Sequence, residues 1–409
     1  MATPFLDGQR RRLAAVVVCA GLAAGTLALA ARPGAAPGFV QPPIVADRVG
    51  RAQIFDYRLK DKSVLTGRRD ILWGAFVGGS AIPGVYSINY TTVDRDLDKT
   101  HTLAWYQANH PDWVVYGCDQ SPSREYTGEY VSVDVTNPEV RAALFNQGVT
   151  ERLAKRPYDA IGVDNLDNVN SALECGVRTP GGFRQLYSGK RDDPGFATRM
   201  AGWMAWLANR VHARGLALAG NLAYEGGNDA GGDREDYLKI ERNLDIVLDE
   251  TGFERNCRPL QTDAKWRDRI DLFRQVALTK ALIEIEYVCP TLAEITPATL
   301  DWSLANYLLI KADRTYLALL PMEKAGGALY DFPELYLKIG RPAGPMAERG
   351  GVYFRQFDRA LALVNPSSTA SARFALDGAG WRDRVTGGAL TGVVSLPPAT
   401  GRVFVRAGV

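Results

Sequence analysis

Tyr158-Asp159-Ala160-Ile161-Gly162-Val163-Asp164-Asn165-Leu166-Asp167-Asn168 is the stretch of sequence that decides the fold. It begins with a short apolar run, 160–163, of the kind that forms a strand buried on both faces. The run then ends in two carboxylates and two amides, which predicts a polar tip that projects from a core toward a ligand. In a barrel of parallel strands all such tips lie at one end, where active sites are built.

The same alternation of strands and helices recurs along the chain. Strands are predicted at 73–77, 113–116, 130–135, 160–163, 216–219, 244–248, 281–287 and 315–320, with 54–57 as a rival for the first. Helices are predicted between them, including 138–155, 194–214, 266–280 and 300–312. The pattern predicts an α/β fold that closes into a (β/α)8 TIM barrel. The alternative is a doubly wound open sheet, but Gly78-Gly79 matches the phosphate-binding turn of such sheets poorly.

Beyond residue 345 the pattern changes to short strands without helices. They are predicted at 352–357, 360–364, 372–376, 393–396 and 403–405, which indicates a small antiparallel β-sandwich domain. Alternating apolar residues such as Leu361 and Leu363 predict that one face of this domain docks on the barrel. We therefore expect a signal peptide at 1–31, a Pro/Ala-rich linker at 32–50, a catalytic barrel at 51–344 and the β-sandwich domain at 345–409.

The N-terminus has the pattern of an export signal. Arg10, Arg11 and Arg12 precede a charge-free apolar segment, 13–31, and Ala28-Leu29-Ala30 resembles a cleavage site. We expect a secreted or periplasmic protein without stable membrane insertion after cleavage, and an uncleaved membrane anchor is the alternative. Removing this segment leaves a nearly neutral chain without a basic stripe, which argues against a nucleic-acid partner. No pattern indicates an oligomeric state.

Four cysteines follow the signal segment: Cys118, Cys175, Cys257 and Cys289. An even number in an oxidising compartment favours two disulfides, and metal binding is the rival because cysteine also ligates metals. The pattern leaves three connectivities open. Cys257 and Cys289 follow the adjacent predicted strands six and seven, so we expect them to pair and to leave Cys118 with Cys175.

Carboxylates dominate the chemistry available at the predicted strand ends. The chain has three histidines and no Gly-x-Ser-x-Gly elbow, so a Ser-His-Asp triad and a His-rich zinc site have little support. We expect neither a cofactor nor a metal. Hydrolysis of a glycosidic bond needs two carboxylates, one on each side of the bond. Asp164 and Glu250 follow the apolar runs of strands four and six, and we expect these two catalytic residues to face each other across the barrel mouth.

The other polar or aromatic residues near strand ends are candidates for binding the substrate. They are Asp119, Asp134, Asn165, Asp167, Asn221, Tyr224, Asp249, Glu284, Glu286 and Trp113. Alternatives stay open for several of them. By sequence, Asp249 is placed as favourably as Glu250. Glu284 and Glu286 also fit ion-paired charges inside the barrel. Trp113 and Tyr224 also fit a hydrophobic core.

Several segments resemble a family of TIM-barrel glycoside hydrolases with a C-terminal β-sandwich domain. They are Trp105-Tyr106-Gln107-Ala108-Asn109-His110-Pro111-Asp112-Trp113, Val133-Asp134-Val135-Thr136-Asn137-Pro138, Gly162-Val163-Asp164-Asn165, Asp249-Glu250-Thr251-Gly252-Phe253 and Leu361-Ala362-Leu363-Val364-Asn365-Pro366. The resemblance covers about residues 70–409 and implies hydrolysis of a polysaccharide or oligosaccharide. By analogy with barrel glycosidases it implies that Asp164 is the nucleophile or base and Glu250 the acid.

Two functional classes follow from these observations. The first is an exported glycoside hydrolase, and the second is a non-catalytic carbohydrate-binding protein on a degenerate barrel. A metal-dependent polysaccharide deacetylase is a weaker third possibility, because the histidine ligands usual for such enzymes are missing. The partner expected in each case is a carbohydrate, and the sequence does not specify the sugar, the linkage, or endo versus exo cleavage.

Overall fold

The computed structural model describes residues 38–76, 81–95, 97–124, 130–222, 224, 233–323 and 326–406. The expected signal peptide at 1–31, the first part of the linker and the glycine-rich segment 226–232 lie outside the described residues. Among the residues that are described, no helix combines the length and hydrophobicity needed to cross a bilayer.

Eight parallel strands form a closed barrel, which confirms the predicted fold class. The barrel strands are β1 Gly50–Ile54, β2 Ile71–Trp73, β3 Tyr86–Ser87, β4 Ala160–Asp164, β5 Ala217–Asn221, β6 Ile246–Asp249, β7 Ala281–Tyr287 and β8 Thr315–Leu320. Each strand pairs with its neighbours in this order, and β8 returns to pair with β1. The bridge between Ile88 and Ala160 joins the continuation of β3 to β4 and so closes the ring.

Seven α-helices accompany these strands in the described ranges. They are α1 Leu103–Asn109, α2 Pro138–Phe145, α3 Glu151–Lys155, α4 Pro194–His212, α5 Arg234–Glu241, α6 Asp263–Thr279 and α7 Leu300–Ile310. A π-helical segment, Asn146–Thr150, connects α2 to α3. Asn137 caps α2 by accepting a hydrogen bond from the backbone N–H of Glu139, and Pro138 occupies the first turn, where its missing N–H costs nothing.

The positions predicted for the first three strands were wrong. The first strand lies at Gly50–Ile54, the segment predicted at 73–77 overlaps the second, and the third is Tyr86–Ser87. Segment 113–116 instead overlaps Val115–Gly117, which pairs antiparallel with Glu174–Thr179 outside the barrel. Segment 130–135 makes isolated bridges. The prediction depended on a helix after each strand, but β2 and β3 are short and no helix occurs between them in the described residues.

Side chains alternate between the barrel interior and the layer under the helices. Interior residues are mostly alanine, isoleucine and leucine, including Ala160, Ala219, Leu248 and Ile285, and they form one apolar cluster. Gly162 is required at one interior position, because a Cβ atom there would lie 2.5 Å from the carbonyl oxygen of Asn89. The period of two residues therefore decides which polar side chains reach the barrel mouth.

Two antiparallel sheets follow the barrel and enclose a separate apolar cluster. One sheet contains β9 Ala347–Arg349, β10 Val352–Gln356, β11 Ala360–Asn365, β13 Trp381–Asp383, β14 Ala389–Leu390 and β16 Thr400–Arg406, and the other pairs β12 Ala372–Ala375 with β15 Val393–Leu396. Leu361, Leu363 and Phe374 lie between them. This is the predicted β-sandwich.

The sandwich docks on α7 as predicted, but not through the face of Leu361 and Leu363, which fill its own core. Ala360, Ala362 and Val364 point away from the sandwich core and join the main apolar cluster of the barrel. All eleven residues of α7 are buried. At Gly401 of β16 a Cβ atom would lie 2.8 Å from the Cα of Trp302, so only glycine permits this approach of the strand to the helix.

Two disulfides join Cys118 to Cys175 and Cys257 to Cys289, which confirms the expected connectivity. The second bridge links the segments that follow β6 and β7. In the same region the backbone N–H of Cys257 donates to the carbonyl oxygen of Val288 at 2.6 Å. The bridge therefore ties together the two chain segments that leave the barrel mouth beside each other.

Candidate active site

Four polar side chains project into the barrel mouth from consecutive strands. Asp164, Asn221, Glu250 and Tyr287 each lie two residues beyond an interior position of β4, β5, β6 and β7. Because side chains alternate along a strand, all four belong to the interior face. They therefore meet where the strands end, which is the position of active sites in this fold.

The two predicted catalytic carboxylates share a hydrogen-bond donor. Asn221 Nδ2 donates to Asp164 Oδ1 at 2.7 Å and to Glu250 Oε2 at 2.6 Å. Because both oxygens bond to one nitrogen, they lie no more than about 5.3 Å apart. Each carboxylate also accepts from a tyrosine: Tyr90 Oη donates to Asp164 Oδ2 at 2.8 Å, and Tyr287 Oη donates to Glu250 Oε1.

The surroundings of Glu250 favour its protonated form. Burial raises the pKa of this carboxyl, and the charge of Asp164 raises it further. The hydrogen bonds from Tyr287 and Asn221 oppose these effects because they stabilise the ionised form. The net result is a pKa above the ordinary value, which suits a group that must donate a proton near neutral pH.

Asn165 follows Asp164 in a left-handed conformation, with φ of 57°. Asparagine adopts this conformation more readily than most residues, so the turn that leaves β4 at this point is compatible with the side chain. Asn165 Nδ2 donates to Asp164 Oδ2 at 3.4 Å. Asp167 accepts from Ser171 Oγ, and burial raises its pKa with a smaller contribution from Asp164. The structure therefore brings Asn165 and Asp167 close to Asp164.

Asp249, Glu284 and Glu286 lie on the opposite face of their strands. Arg269 forms a buried ion pair with Asp249 and approaches Glu284 Oε1 at 3.6 Å. Glu286 Oε2 accepts from the backbone N–H groups of Phe253 and Glu254, both at 2.9 Å. These carboxylates lie between the sheet and the helices and not in the barrel interior, which corrects the alternative that placed Glu284 and Glu286 inside. The period-two pattern separates Asp249 from Glu250 in the same way.

The remaining predicted binding residues lie apart from the two catalytic candidates. Asp119 is exposed and accepts from the backbone N–H of Ser121. Asp134 is buried and bonds to Thr136 and Arg184. Trp113 stacks on His110 with ring centroids 3.9 Å apart, and Tyr224 is buried with its hydroxyl donating to Asp268 at 2.6 Å. Each of these four side chains therefore has a partner in its own surroundings and makes none of its described contacts with Asp164 or Glu250.

Sequence reasoning missed an aromatic group beside the carboxylates. Phe55, Tyr57, Phe76 and Tyr90 form a continuous cluster, in which Phe55 lies 5.7 Å from Tyr90 between ring centroids. Tyr57 is 46% and Phe76 is 42% exposed, although both are large aromatic residues. The sequence places Tyr287 on the same face of β7 as Ile285, but it does not show that this face points into the barrel. Tyr90 was not predictable, because β3 is too short to show a periodicity.

In the described part of the chain, no group of three or more His, Cys, Asp or Glu side chains has an arrangement that could hold a metal ion. The donors that meet at the barrel mouth are instead two carboxylates, one amide and two phenols. Such a set can exchange a proton, bear a covalent ester on a carboxylate, and hydrogen-bond hydroxyl groups.

No protein-family model matches the chain, and no curated protein matches it by sequence. Solved structures with a similar fold include a maltogenic alpha-amylase from Thermotoga neapolitana, at 11% identity and a TM-score of 0.46 over 88% of this chain and 99% of that one. An alpha-amylase from Geobacillus thermoleovorans, complexed with acarbose, has 12% identity and a TM-score of 0.47 over 88% and 99%. The glycoside hydrolase domain of PelA from Pseudomonas aeruginosa has 14% identity and a TM-score of 0.40 over 68% and 97%.

Proposed function

We propose that this protein is an exported glycoside hydrolase that cleaves a polysaccharide or oligosaccharide by a two-carboxylate mechanism with retention of configuration. The observation that carries the proposal is the shared donor, Asn221 Nδ2, which keeps Asp164 and Glu250 within about 5.3 Å of each other at their nearest bonded oxygens. Carboxyl groups of retaining enzymes lie about 5–5.5 Å apart, whereas inverting enzymes need about 6.5–9.5 Å to admit a water molecule.

In this mechanism Glu250 is the acid and Asp164 the nucleophile. Glu250 holds a proton because its pKa is raised, and it donates that proton to the glycosidic oxygen as the bond breaks. Asp164 attacks the anomeric carbon and forms a glycosyl ester. Tyr90 and Asn221 hold the carboxylate of Asp164 in position for that attack.

The second half of the reaction reverses the role of Glu250. When Asp164 becomes an ester it loses its negative charge, and the repulsion that helped to raise the pKa of Glu250 disappears. Glu250, now ionised, can take a proton from the water that attacks the ester. The proton returns to the enzyme and the original configuration at the anomeric carbon is restored.

Export is supported by the two disulfides together with the signal-like sequence at 1–31. A non-catalytic carbohydrate-binding protein is the second candidate. One observation favours it: all four oxygens of Asp164 and Glu250 already accept hydrogen bonds within the protein. Such a network would also hold the side chains as a fixed surface for sugar hydroxyls.

The deciding experiment is a screen of polysaccharides and aryl glycosides, followed by NMR of the first-formed product of the best substrate. A product with the anomeric configuration of the substrate is expected. For Asp164→Ala, added azide should restore cleavage and give a glycosyl azide of inverted configuration, because azide replaces the missing nucleophile. An inverted product from the unaltered protein would contradict the assignment of Asp164 as nucleophile, and binding without any product would favour the second candidate.

A further inference from the structure

Two large aromatic side chains are exposed beside the proposed active centre. Tyr57 follows β1 and Phe76 follows β2, so both lie at the end of the barrel where Asp164 and Glu250 meet. Tyr57 remains 46% exposed although the guanidinium carbon of Arg58 lies 5.4 Å from its ring centroid, and Phe76 is 42% exposed. Large aromatic rings are ordinarily well buried, and exposed apolar groups that adjoin each other indicate a binding surface.

A series of contacts connects the exposed rings to Asp164. The ring centroids of Tyr57 and Phe76 lie 5.2 Å apart, and Phe55 lies 5.8 Å from the first and 6.2 Å from the second. Phe55 in turn lies 5.7 Å from Tyr90, whose hydroxyl donates to Asp164 Oδ2 at 2.8 Å. The exposed rings therefore continue the active centre on the side of Asp164.

Hydrogen bonds to its backbone hold Phe76 in place. Asp56 Oδ1 accepts from the backbone N–H of Phe76 at 3.0 Å, and Arg156 Nη1 donates to its carbonyl oxygen at 3.2 Å. Asp56 is itself buried and forms an ion pair with Lys62 at 2.9 Å. A binding surface that is already ordered loses less conformational entropy when a ligand binds.

Phe55, which joins the two exposed rings to Tyr90, has an unusual backbone conformation. Its φ is 55°, in the left-handed region that bulky residues rarely adopt. Its ring is seated between two glycines, because a Cβ atom at Gly74 would overlap the ring and one at Gly326 would lie 2.7 Å from its Cδ2. Strained conformations of this kind cluster at ligand sites, where the surrounding structure fixes them.

We infer that Tyr57 and Phe76 stack on a sugar unit of the substrate on the glycone side, the part of the sugar chain that becomes attached to Asp164. The inference rests on the proposed function, because it places the two rings relative to the nucleophile. The negative face of an aromatic ring attracts the polarised C–H groups of a pyranose ring.

The position of the rings specifies which sugar they contact. Asp164 reacts with the sugar at the cleaved bond. Tyr57 is separated from Asp164 by Phe55 and Tyr90, so the sugar that it contacts lies further along the glycone. The substrate is therefore an oligosaccharide or polysaccharide with at least two sugars on this side, and a glycoside of a single sugar forgoes the contact.

The binding test uses Glu250→Gln, in which turnover is impaired, and titration calorimetry. The probes are malto-, cello-, xylo- and chito-oligosaccharides of one to five units. At least one series should bind more tightly as its length increases. Adding Tyr57→Ala or Phe76→Ala should weaken the binding of the longer probes about three- to tenfold, the range of an aromatic contact, and leave the shortest probe unchanged. Adding Tyr57→Phe keeps the ring and should keep the gain.

Tyr336→Ala is the matched control. Tyr336 is also 42% exposed, but its hydroxyl donates to Asp331 and its ring lies under Arg51, with a centroid distance of 5.2 Å. This variant should leave every affinity unchanged. Affinities that do not change with length, a loss in Tyr336→Ala as large as in Tyr57→Ala, an equal loss in Tyr57→Phe, or no binding by any probe would overturn the inference.

A kinetic test locates the side of the cleaved bond. In p-nitrophenyl glycosides of the same four series the leaving group stays constant while the glycone grows from one to three sugars. The kcat/KM of the unaltered protein should increase with the length of the glycone, and Tyr57→Ala should abolish most of that increase. If only a longer leaving group raised kcat/KM, the assignment to the glycone side would be wrong.

The outcomes separate the two proposals. Hydrolysis whose kcat/KM depends neither on glycone length nor on Tyr57 would remove the stacking site and leave the hydrolase. Length-dependent binding that requires Tyr57, to sugars that the unaltered protein never cleaves, would keep the stacking site and remove the hydrolase.

Discussion

Asp164 and Glu250 accept hydrogen bonds from the same nitrogen atom, Nδ2 of Asn221, at 2.7 and 2.6 Å. The amide therefore bridges two carboxyl groups that would repel each other if both were ionised, and it limits the distance between them. Because β4, β5 and β6 are neighbours in the barrel, the spacing depends on backbone pairing and not on a mobile loop.

Replacing Asp164 by asparagine should lower kcat at least about 10²-fold on the best substrate, within the range for acid–base and nucleophilic groups. Asparagine preserves the shape but cannot form the ester. Steady-state kinetics with the best substrate of the screen provide the measurement. Asp119→Asn is the matched control, since Asp119 is exposed and bonds only locally to Ser121 among its described hydrogen bonds. A variant at 164 that kept full activity would exclude Asp164 from the mechanism.

Tyr287→Phe should move the alkaline limb of the kcat/KM profile to higher pH. The hydroxyl of Tyr287 stabilises ionised Glu250, so its removal raises the pKa of Glu250 and keeps the acid protonated over a wider range. The measurement is a pH–rate series. Tyr158→Phe removes a buried hydroxyl that has no hydrogen-bond partner among the described residues, and it should leave the profile in place. A shift to lower pH would contradict the assignment of Glu250 as the acid.

The free energy of unfolding should fall as pH rises from about 5 to 8. Burial raises the pKa of Glu254 to about 8 and also raises that of Glu286, so the folded protein retains protons that the unfolded chain releases above its ordinary carboxyl pKa. This stabilisation is fully present below the ordinary carboxyl pKa. It is lost as the pH rises through the raised pKa of about 8.

The matching variant is Glu254→Gln, which keeps an oxygen that can accept from Ser303 Oγ. Urea unfolding at several pH values should show a pH-dependent loss smaller by at least about 1 kcal/mol, since one pKa unit corresponds to about 1.4 kcal/mol. The control is Glu151→Gln, at an exposed glutamate, in which the free energy of unfolding should depend on pH as it does in the wild type. An identical pH dependence in Glu254→Gln and wild type would show that Glu254 does not retain its proton.

The two disulfides should differ in their effect on activity. The double variant Cys257→Ser/Cys289→Ser should lose about 2–4 kcal/mol of stability and part of its kcat, because that bridge ties the segments that carry Glu250 and Tyr287. Cys118→Ser/Cys175→Ser should lose comparable stability with kcat retained. Chemical unfolding and kinetics on both variants make the comparison. Equal loss of kcat in the two would mean that neither bridge acts on the site specifically.

A chain ending near residue 337 should be poorly soluble. Removing the sandwich uncovers α7, whose apolar residues pack on Ala360, Ala362 and Val364 of β11. Expression and ultracentrifugation of the truncated chain provide the measurement. If the truncated chain were soluble and cooperatively folded, the sandwich would be an independent module.

The sequence predicted strands β4 to β8 because each is an apolar run with a helix beside it. It failed at β1 to β3, where the strands are short and no helix separates β2 from β3 in the described residues. For the same reason, the sequence predicted Glu250 at the candidate site but did not predict Tyr90. Glu250 continues a visible alternation in β6, whereas Tyr90 reaches Asp164 only because Ile88 pairs with Ala160, a contact between distant parts of the chain.

Sequence also could not choose between the two faces of β7 before the register was known. Glu284 and Glu286 share a face, but only the pairing of β7 with β6 and β8 shows that this face meets Arg269 and not the barrel interior. The aromatic cluster of Phe55, Tyr57 and Phe76 is likewise formed by the segments after β1 and β2, whose positions the sequence did not reveal.

The late position of Gly401 in the chain also affects when α7 becomes fully covered during synthesis. The strand that reaches α7 through this glycine begins about ninety residues after that helix ends. At a ribosomal rate of about 5–20 residues per second, the part of the helix that this strand covers stays exposed for roughly 5–20 s, long enough for a chaperone to bind it. A nascent chain that stalls within that interval would leave part of the apolar surface of α7 exposed to solvent.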